Sequence, residues 1–217
     1  MKKIILSAFK AFGGYAVNPT EIIADRFNNS VLSGFDVVSV VFESVIPKGD
    51  RGGYLLSLAR RVDACGIVSL GIDSGKKGLC VENSAVNRIF NEKYCPSFLN
   101  DTPVDKSREY MERLRLDISD WNIKAFADAC RSESISVMDA SDAVGGFCCN
   151  HLIYQVAAQK IASQYFARIP FAFMHSPCSP ESVADPVSFM ESGKVLMSVD
   201  DIVRGLEILL EHSLLAR

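Results

Sequence analysis

Three side chains in this sequence combine into one kind of chemistry: the thiol of Cys149, the imidazole of His175 and the carboxylate of Glu82. Cys149 follows Gly145-Gly146-Phe147-Cys148, where a predicted strand ends in a glycine turn and a helix begins. Unpaired N–H groups and the positive end of the dipole at a helix start favour thiolate over thiol, and the same N–H groups can hold an oxyanion. On its own the segment is also what a buried, inert cysteine beside a turn looks like. His175 follows the apolar run Phe171-Ala172-Phe173-Met174, so it sits at the carboxyl end of a predicted strand, where ligands gather in α/β sheets. Glu82 lies in the strand-like run Leu79-Cys80-Val81-Glu82-Asn83-Ser84. A carboxylate there is costly to bury alone, but it can accept an imidazole N–H and fix its tautomer. Such a set splits an acyl transfer into two steps through a covalent intermediate.

These groups need elements to hold them. Short apolar runs alternate with amphipathic stretches, the pattern of an α/β fold: a mainly parallel, twisted central sheet with helices on both faces. Strands are predicted over 3–8, 36–42, 66–72, 79–86, 134–139 and 169–174, and helices over 19–28, 54–64, 118–131, 149–166 and 199–212. Asn18 caps the first helix with Pro19 at its first position and Glu21 in its first turn, and Ser198 with Asp201 opens the last. The stretches 91–105 and 176–186, rich in proline and without periodicity, read as surface loops. The 217 residues suit one domain, 1–217.

Composition narrows the partners. The charge of -3 comes from interleaved signs with no basic run, which argues against nucleic acid. Met1-Lys2-Lys3 followed by Ile4-Ile5-Leu6 is a buried first strand by this reading, since the apolar run stops at Lys10 without a small-residue cleavage site. No run reaches the ~18 apolar residues that span a bilayer. Seven cysteines, an odd number with no secretory signal, predict reduced thiols in a cytoplasmic protein. With three histidines and no Cys-x-x-Cys pair, neither a metal nor another cofactor is expected. His151 and His212 read as helix-surface or dipole-complementing residues.

Several segments, in order, resemble the pyroglutamyl peptidase I (pyrrolidone-carboxylate peptidase) family of cysteine peptidases. Phe9-Lys10-Ala11-Phe12-Gly13-Gly14 with Asn18-Pro19 resembles its amino-terminal Gly-Phe-(Asp/Glu)-Pro-Phe-Gly-Gly…Asn-Pro signature, and Leu70-Gly71 through Gly75 its Leu-Gly-x-x-Gly-Gly turn. Phe147-Cys148-Cys149-Asn150 is similar to the segment around its nucleophile, Phe173-Met174-His175-Ser176-Pro177 to that around its histidine, and Glu82 to its catalytic glutamate. The resemblance implies a thiol exopeptidase that removes an amino-terminal pyroglutamyl residue from peptides. Cys149 is then nucleophile, His175 base and acid, and Glu82 the orienting carboxylate. Phe9, Phe12, Asn18, Gly71 and Phe147 would form the substrate pocket, and the protein would be a homo-oligomer, dimer or tetramer. The chain departs from the pattern at Lys10-Ala11, Ile72, Lys76, Ala143-Val144 and Tyr94. Two rival readings follow: the same triad on another small acyl, lactam or amide substrate, or an impaired homologue that serves as a binding protein. A redox role for Cys148 with Cys149 is disfavoured, because neighbouring cysteines bridge only through a strained ring.

Overall fold

The computed structural model describes residues 1–142 and 144–215. Ala143, one of the departures above, lies outside the described residues. In chain order the elements are β1 (Lys3–Phe9), α1 (Pro19–Phe27), β2 (Val31–Leu32), β3 (Phe35–Phe42), α2 (Arg51–Val62), β4 (Ala64–Ile72), β5 (Cys80–Glu82), β6 (Ser84–Val86), β7 (Arg113–Arg115), α3 (Ile123–Ser132), α4 (Cys148–Ala162), α5 (Gln164–Ala167), β8 (Phe171–Ser176), α6 (Pro186–Glu191) and α7 (Val199–Ser213). A six-stranded sheet runs in the order β2-β3-β1-β4-β8-β5, and β6 pairs with β7 apart from it. The pairs β3/β1, β1/β4 and β4/β8 are parallel, and the edge strands β2 and β5 are antiparallel to their neighbours. This is the expected α/β class.

The period of two along the strands explains the layers. Ile4 and Leu6 of β1, with Val68, Leu70, Ala172 and Met174, pack against Ile23 of α1, Phe126 of α3 and Leu206 of α7. Ile5 and Phe9, with Ile67, Phe171 and Phe173, face Leu55 and Leu56 of α2 and Leu152 and Val156 of α4. Both faces are therefore covered, as parallel strands require.

The caps of α1 and α7 form as expected: Asn18 accepts from the N–H of Thr20, and Ser198 from that of Asp201. Other boundaries move. The predicted strand 79–86 breaks at Asn83, whose N–H turns to the carbonyl of Ser141, so that β5 joins β8 and β6 joins β7. The predicted strand 134–139 makes only the isolated bridge of Val137 with Leu79, the residue before β5. The helix predicted over 54–64 starts earlier, at Arg51, since Asp50 caps it from outside two glycines. A side chain at Gly52 would strike Gln155 of α4 at 2.6 Å, so the glycine lets the two helices meet. The helix predicted over 118–131 starts at Ile123, where Asn122 accepts from Ala125. The helix predicted over 149–166 divides at extended Ser163. Among the described residues no helix is long and apolar enough to cross a membrane.

Candidate active site

The site grows from the carboxyl ends of β4 and β8. Gly71 lies opposite His175 on these parallel strands, and β5 returns on the other side of β8 with Cys80 opposite His175 and Glu82 opposite Phe173. Opposite residues share a face of the sheet, so Gly71, Phe173, His175, Cys80 and Glu82 all point toward α4. Glu82 and His175 are diagonal neighbours, close enough for side chains of their length to meet.

They do meet. His175 Nδ1 lies 2.8 Å from Glu82 Oε1, with the histidine 2% and the glutamate 0% exposed. A carboxylate only accepts, so Nδ1 carries the donated proton and Nε2 is left with a lone pair. Lys76 Nζ approaches the same Oε1 at 2.8 Å. Burial pushes the Glu82 carboxyl up, but the hydrogen bond and charge of His175, then those of Lys76, prevail and hold it below the usual range. The Phe173 ring packs against the imidazole at 4.9 Å between centroids.

Cys149 arrives from above. Helix α4 begins at Cys148 with no side-chain cap and no acidic residue in its first turn. Gly145, at φ 78°, provides the left-handed turn into it. Gly146 allows a close pass by Phe90, whose carbonyl a Cβ there would meet at 2.9 Å. Buried Asn150 anchors the helix start, with Oδ1 accepting from Val86 N and Nδ2 donating to the carbonyls of Val86 and Arg88. The result sets the Cys149 sulfur over β4: a Cβ on Gly71 would stand 3.1 Å from it. Gly71 is thus empty space for the sulfur, directly beside His175 in the sheet.

The thiol does not behave as the helix start alone suggested. The Cys148 thiol, with its sulfur 3.8 Å away, then burial, then the charges of Asp73 and Glu82 push the Cys149 thiol well up. The positive end of the helix acts against these influences. Cys149 and His175 line the same cleft.

A cleft of about 250 Å³ opens over these groups, lined by Cys149, His175, Phe12, Phe147, Tyr15 and Tyr94 among others. Asp73, Ile72 and Val144 also reach it. Phe12 meets Tyr15 and Tyr94 edge-on at 5.8 and 5.7 Å, and the Tyr94 hydroxyl donates to the Gly13 carbonyl at 3.1 Å. Phe9 is not on the cleft wall: it is buried against Phe42, under the Arg51 guanidinium. Asn18 is held at the start of α1, donating to the Lys10 carbonyl at 3.4 Å. Lys10 pairs with Glu21 at 3.0 Å and the Ala11 N–H donates to the same carboxylate, so this departure serves the α1 junction. A larger hollow of about 460 Å³ beside α4 holds Arg108 and Tyr154, both already committed to Glu112.

Sequence reasoning missed the placement of Lys76, which it read only as a departure. The signal was present: a lysine in the turn after β4, six residues before Glu82, on a chain segment that must fold back beside it. His151 is a correction. It is 4% exposed rather than on the helix surface, because the first turns of α4 are enclosed by α2 and β6.

The pyroglutamyl peptidase family model matches residues 2–215. Pyrrolidone-carboxylate peptidase 1 of Streptococcus pneumoniae serotype 4 is 28% identical over 214 residues, covering 96% of this chain and 91% of that one. Pyrrolidone carboxyl peptidase from Pyrococcus furiosus superposes with a TM-score of 0.77 at 20% identity, covering 99% of both chains. Pyroglutamyl peptidase I from Bacillus amyloliquefaciens gives 0.76 at 22% identity, over 98% of this chain and 94% of that one. With a model match that spans nearly the whole sequence, the chain belongs to the pyroglutamyl peptidase family, and with it to the cysteine-type exopeptidases.

Proposed function

We propose that this protein removes an amino-terminal pyroglutamyl residue from peptides, with Cys149 as nucleophile, His175 as base and then acid, and Glu82 orienting the imidazole. The observation that carries the reading is the 2.8 Å hydrogen bond from buried Glu82 to His175, which lines a cleft together with Cys149 at an uncapped helix start. His175 Nε2 takes the thiol proton as sulfur adds to the pyroglutamyl carbonyl carbon. The oxygen, now negative, is held by the Cys149 N–H. The imidazolium, stabilised by Glu82, returns the proton to the departing amine as the C–N bond breaks, leaving a thioester. Water, deprotonated by the same Nε2, adds to the thioester and releases pyroglutamate and the thiol. Phe12 and Phe147 suit a neutral, flat ring, which has no ammonium for an ordinary aminopeptidase to grip.

Ile72, Val144 and Tyr94 line the cleft at positions where the chain departs from the family pattern, and this favours a second reading, the same triad acting on another small acyl amide. Turnover of pyroglutamyl-aminomethylcoumarin beside a panel of other acyl-aminomethylcoumarins decides between them. Preference for the cyclic acyl group is expected. A tenfold preference for a non-cyclic one, about 1.4 kcal/mol in the transition state, installs the second reading instead. We further read 1–217 as one domain, a homo-oligomer in the cytoplasm. Seven unpaired thiols support that compartment, and sedimentation of the purified protein tests the assembly.

A further inference from the structure

Lysine is almost never buried without a partner, yet Lys76 is 6% exposed. The turn that carries it is fixed: Asp73 Oδ1 accepts from the Gly75 N–H at 2.8 Å, and the Lys76 N–H returns to the Asp73 carbonyl at 3.0 Å. This aims the ammonium inward, to 2.8 Å from Glu82 Oε1 and 3.5 Å from the Cys80 sulfur. The same Oε1 receives His175 Nδ1 at 2.8 Å, while Oε2 is buried with no partner among the described residues. All that holds the carboxylate converges on one oxygen.

We propose that Lys76 is a positioning residue, whose ammonium locks Glu82 in the ionised, Oε1-forward state that orients His175. The proposal rests on the reading of His175 as the base. With His175 as sole partner, a carboxylate this buried gains by taking up a proton or by turning Oε2 toward the ring, and either change weakens its hold on the imidazolium. The other ionisable groups facing this cluster cannot replace Lys76. The Cys80 thiol on β5 and the Cys149 thiol on α4 are neutral or negative, and Asp73 in the same turn is a carboxylate that favours the ammonium. Lys76 is thus the cation that compensates Glu82 before any imidazolium forms.

Lys76→Met and Lys76→Gln are expected to lower kcat at least tenfold with KM within threefold, and to move the acid limb of the kcat/KM profile upward by one pH unit or more. Lys76→Arg, which keeps the cation, is expected to return to within fivefold of the parent. Two readouts need no turnover: the downfield proton resonance of His175 Nδ1–H, expected to move upfield or broaden in the Met and Gln variants, and the pH dependence of Cys149 alkylation by iodoacetamide, expected to shift with it. A parent protein that is inactive on pyroglutamyl substrates sinks the proposed activity, and these two signals still judge Lys76. Folded Met or Gln variants with an unchanged acid limb and an unchanged His175 resonance overturn the proposal. So does a loss that disappears once rates are normalised to titratable Cys149 in folded protein. If neither variant folds, the arginine variant decides: failure to recover turnover and the His175 resonance while folded overturns the role.

Discussion

Two buried histidines lie on the same side of the sheet, and their neighbours make them opposites. His175 donates to the Glu82 carboxylate, an anion. His151, on α4, is held down to about 4 by burial and by the Arg51 guanidinium. Its tautomer is fixed by Gln155. The Oε1 of that amide accepts from the N–H groups of Arg51 and Gly52, and its Nε2 donates to the Gly49 carbonyl and approaches His151 Nε2 at 3.4 Å. His151 Nε2 must then accept, and its proton sits on Nδ1, a buried atom without a partner among the described residues. Burial alone does not decide what an imidazole does; the charge of the group beside it does. Truncation of each ring should separate the two most strongly. His175→Ala should lower kcat/KM for the pyroglutamyl substrate by roughly 10³-fold or more, some 4 kcal/mol of barrier. His151→Gln should stay within about fivefold, since His151 contributes no proton to the reaction. Equal losses in two folded variants would end the contrast.

The pH dependence of stability separates His151 from the Glu82 carboxylate beside His175, at a smaller magnitude. With His151 at about 4 in the folded chain and about 6.5 when unfolded, its contribution is full above pH ~6.5 and disappears as the pH falls through the folded value. Over that interval the unfolded chain binds a proton that the folded chain refuses. The expected loss is on the order of 3 kcal/mol between neutral pH and pH ~4. Glu82, whose carboxyl is held below its ordinary value, also contributes above the unfolded carboxylate range and loses that contribution on further acidification. The windows are therefore distinct. Urea unfolding at several pH values should show the upper step vanish in His151→Gln, while the acid step persists.

How legible this was depends on the kind of interaction. Cys149, His175 and Glu82 stand out in the sequence because each sits at a local signature, a glycine turn before a helix, the end of an apolar run and a charge inside a strand; the fold puts the first two on one cleft wall and joins the last two by a hydrogen bond. Elements with strong local signals, the Asn18 and Ser198 caps and the apolar runs of β1, β3 and β4, also lie where the sequence puts them. What escaped was set by contacts distant in sequence. The break at Asn83 depends on Ser141, the first N–H groups of α2 find Gln155 beside the local Asp50 cap, and the burial of His151 comes from its enclosure by other elements. The upward push on the Cys149 thiol escaped for the same reason. A helix start is visible in sequence, but the Cys148 sulfur at 3.8 Å and the Asp73 charge act through the fold.

The smallest expected effect carries the contrast between charge partners from the two histidines to the thiol. Cys149 is pushed up first by its contact with Cys148, next by burial, and then by Asp73 and Glu82. Cys148→Ala removes the first of these. It should speed alkylation of Cys149 by iodoacetamide at neutral pH while leaving at least about a third of turnover, because the proposed nucleophile and base, Cys149 and His175, are untouched. Asp73→Asn removes a weaker influence. Asp73 lies on the cleft wall with one carboxylate oxygen accepting from Gly75, a bond that the asparagine side-chain carbonyl can keep. The turn therefore survives and only the charge goes. Below the thiol's own pKa the rate of alkylation follows the thiolate fraction, so a gain of about threefold is expected, roughly 0.6 kcal/mol of electrostatic relief. The Cys149→Ala protein supplies the background from the other cysteines. An unchanged or slower rate in Asp73→Asn would mean that the aspartate charge does not reach the sulfur. Cys148 and burial would then hold Cys149 protonated without it, and the charge argument would be confined to the histidines.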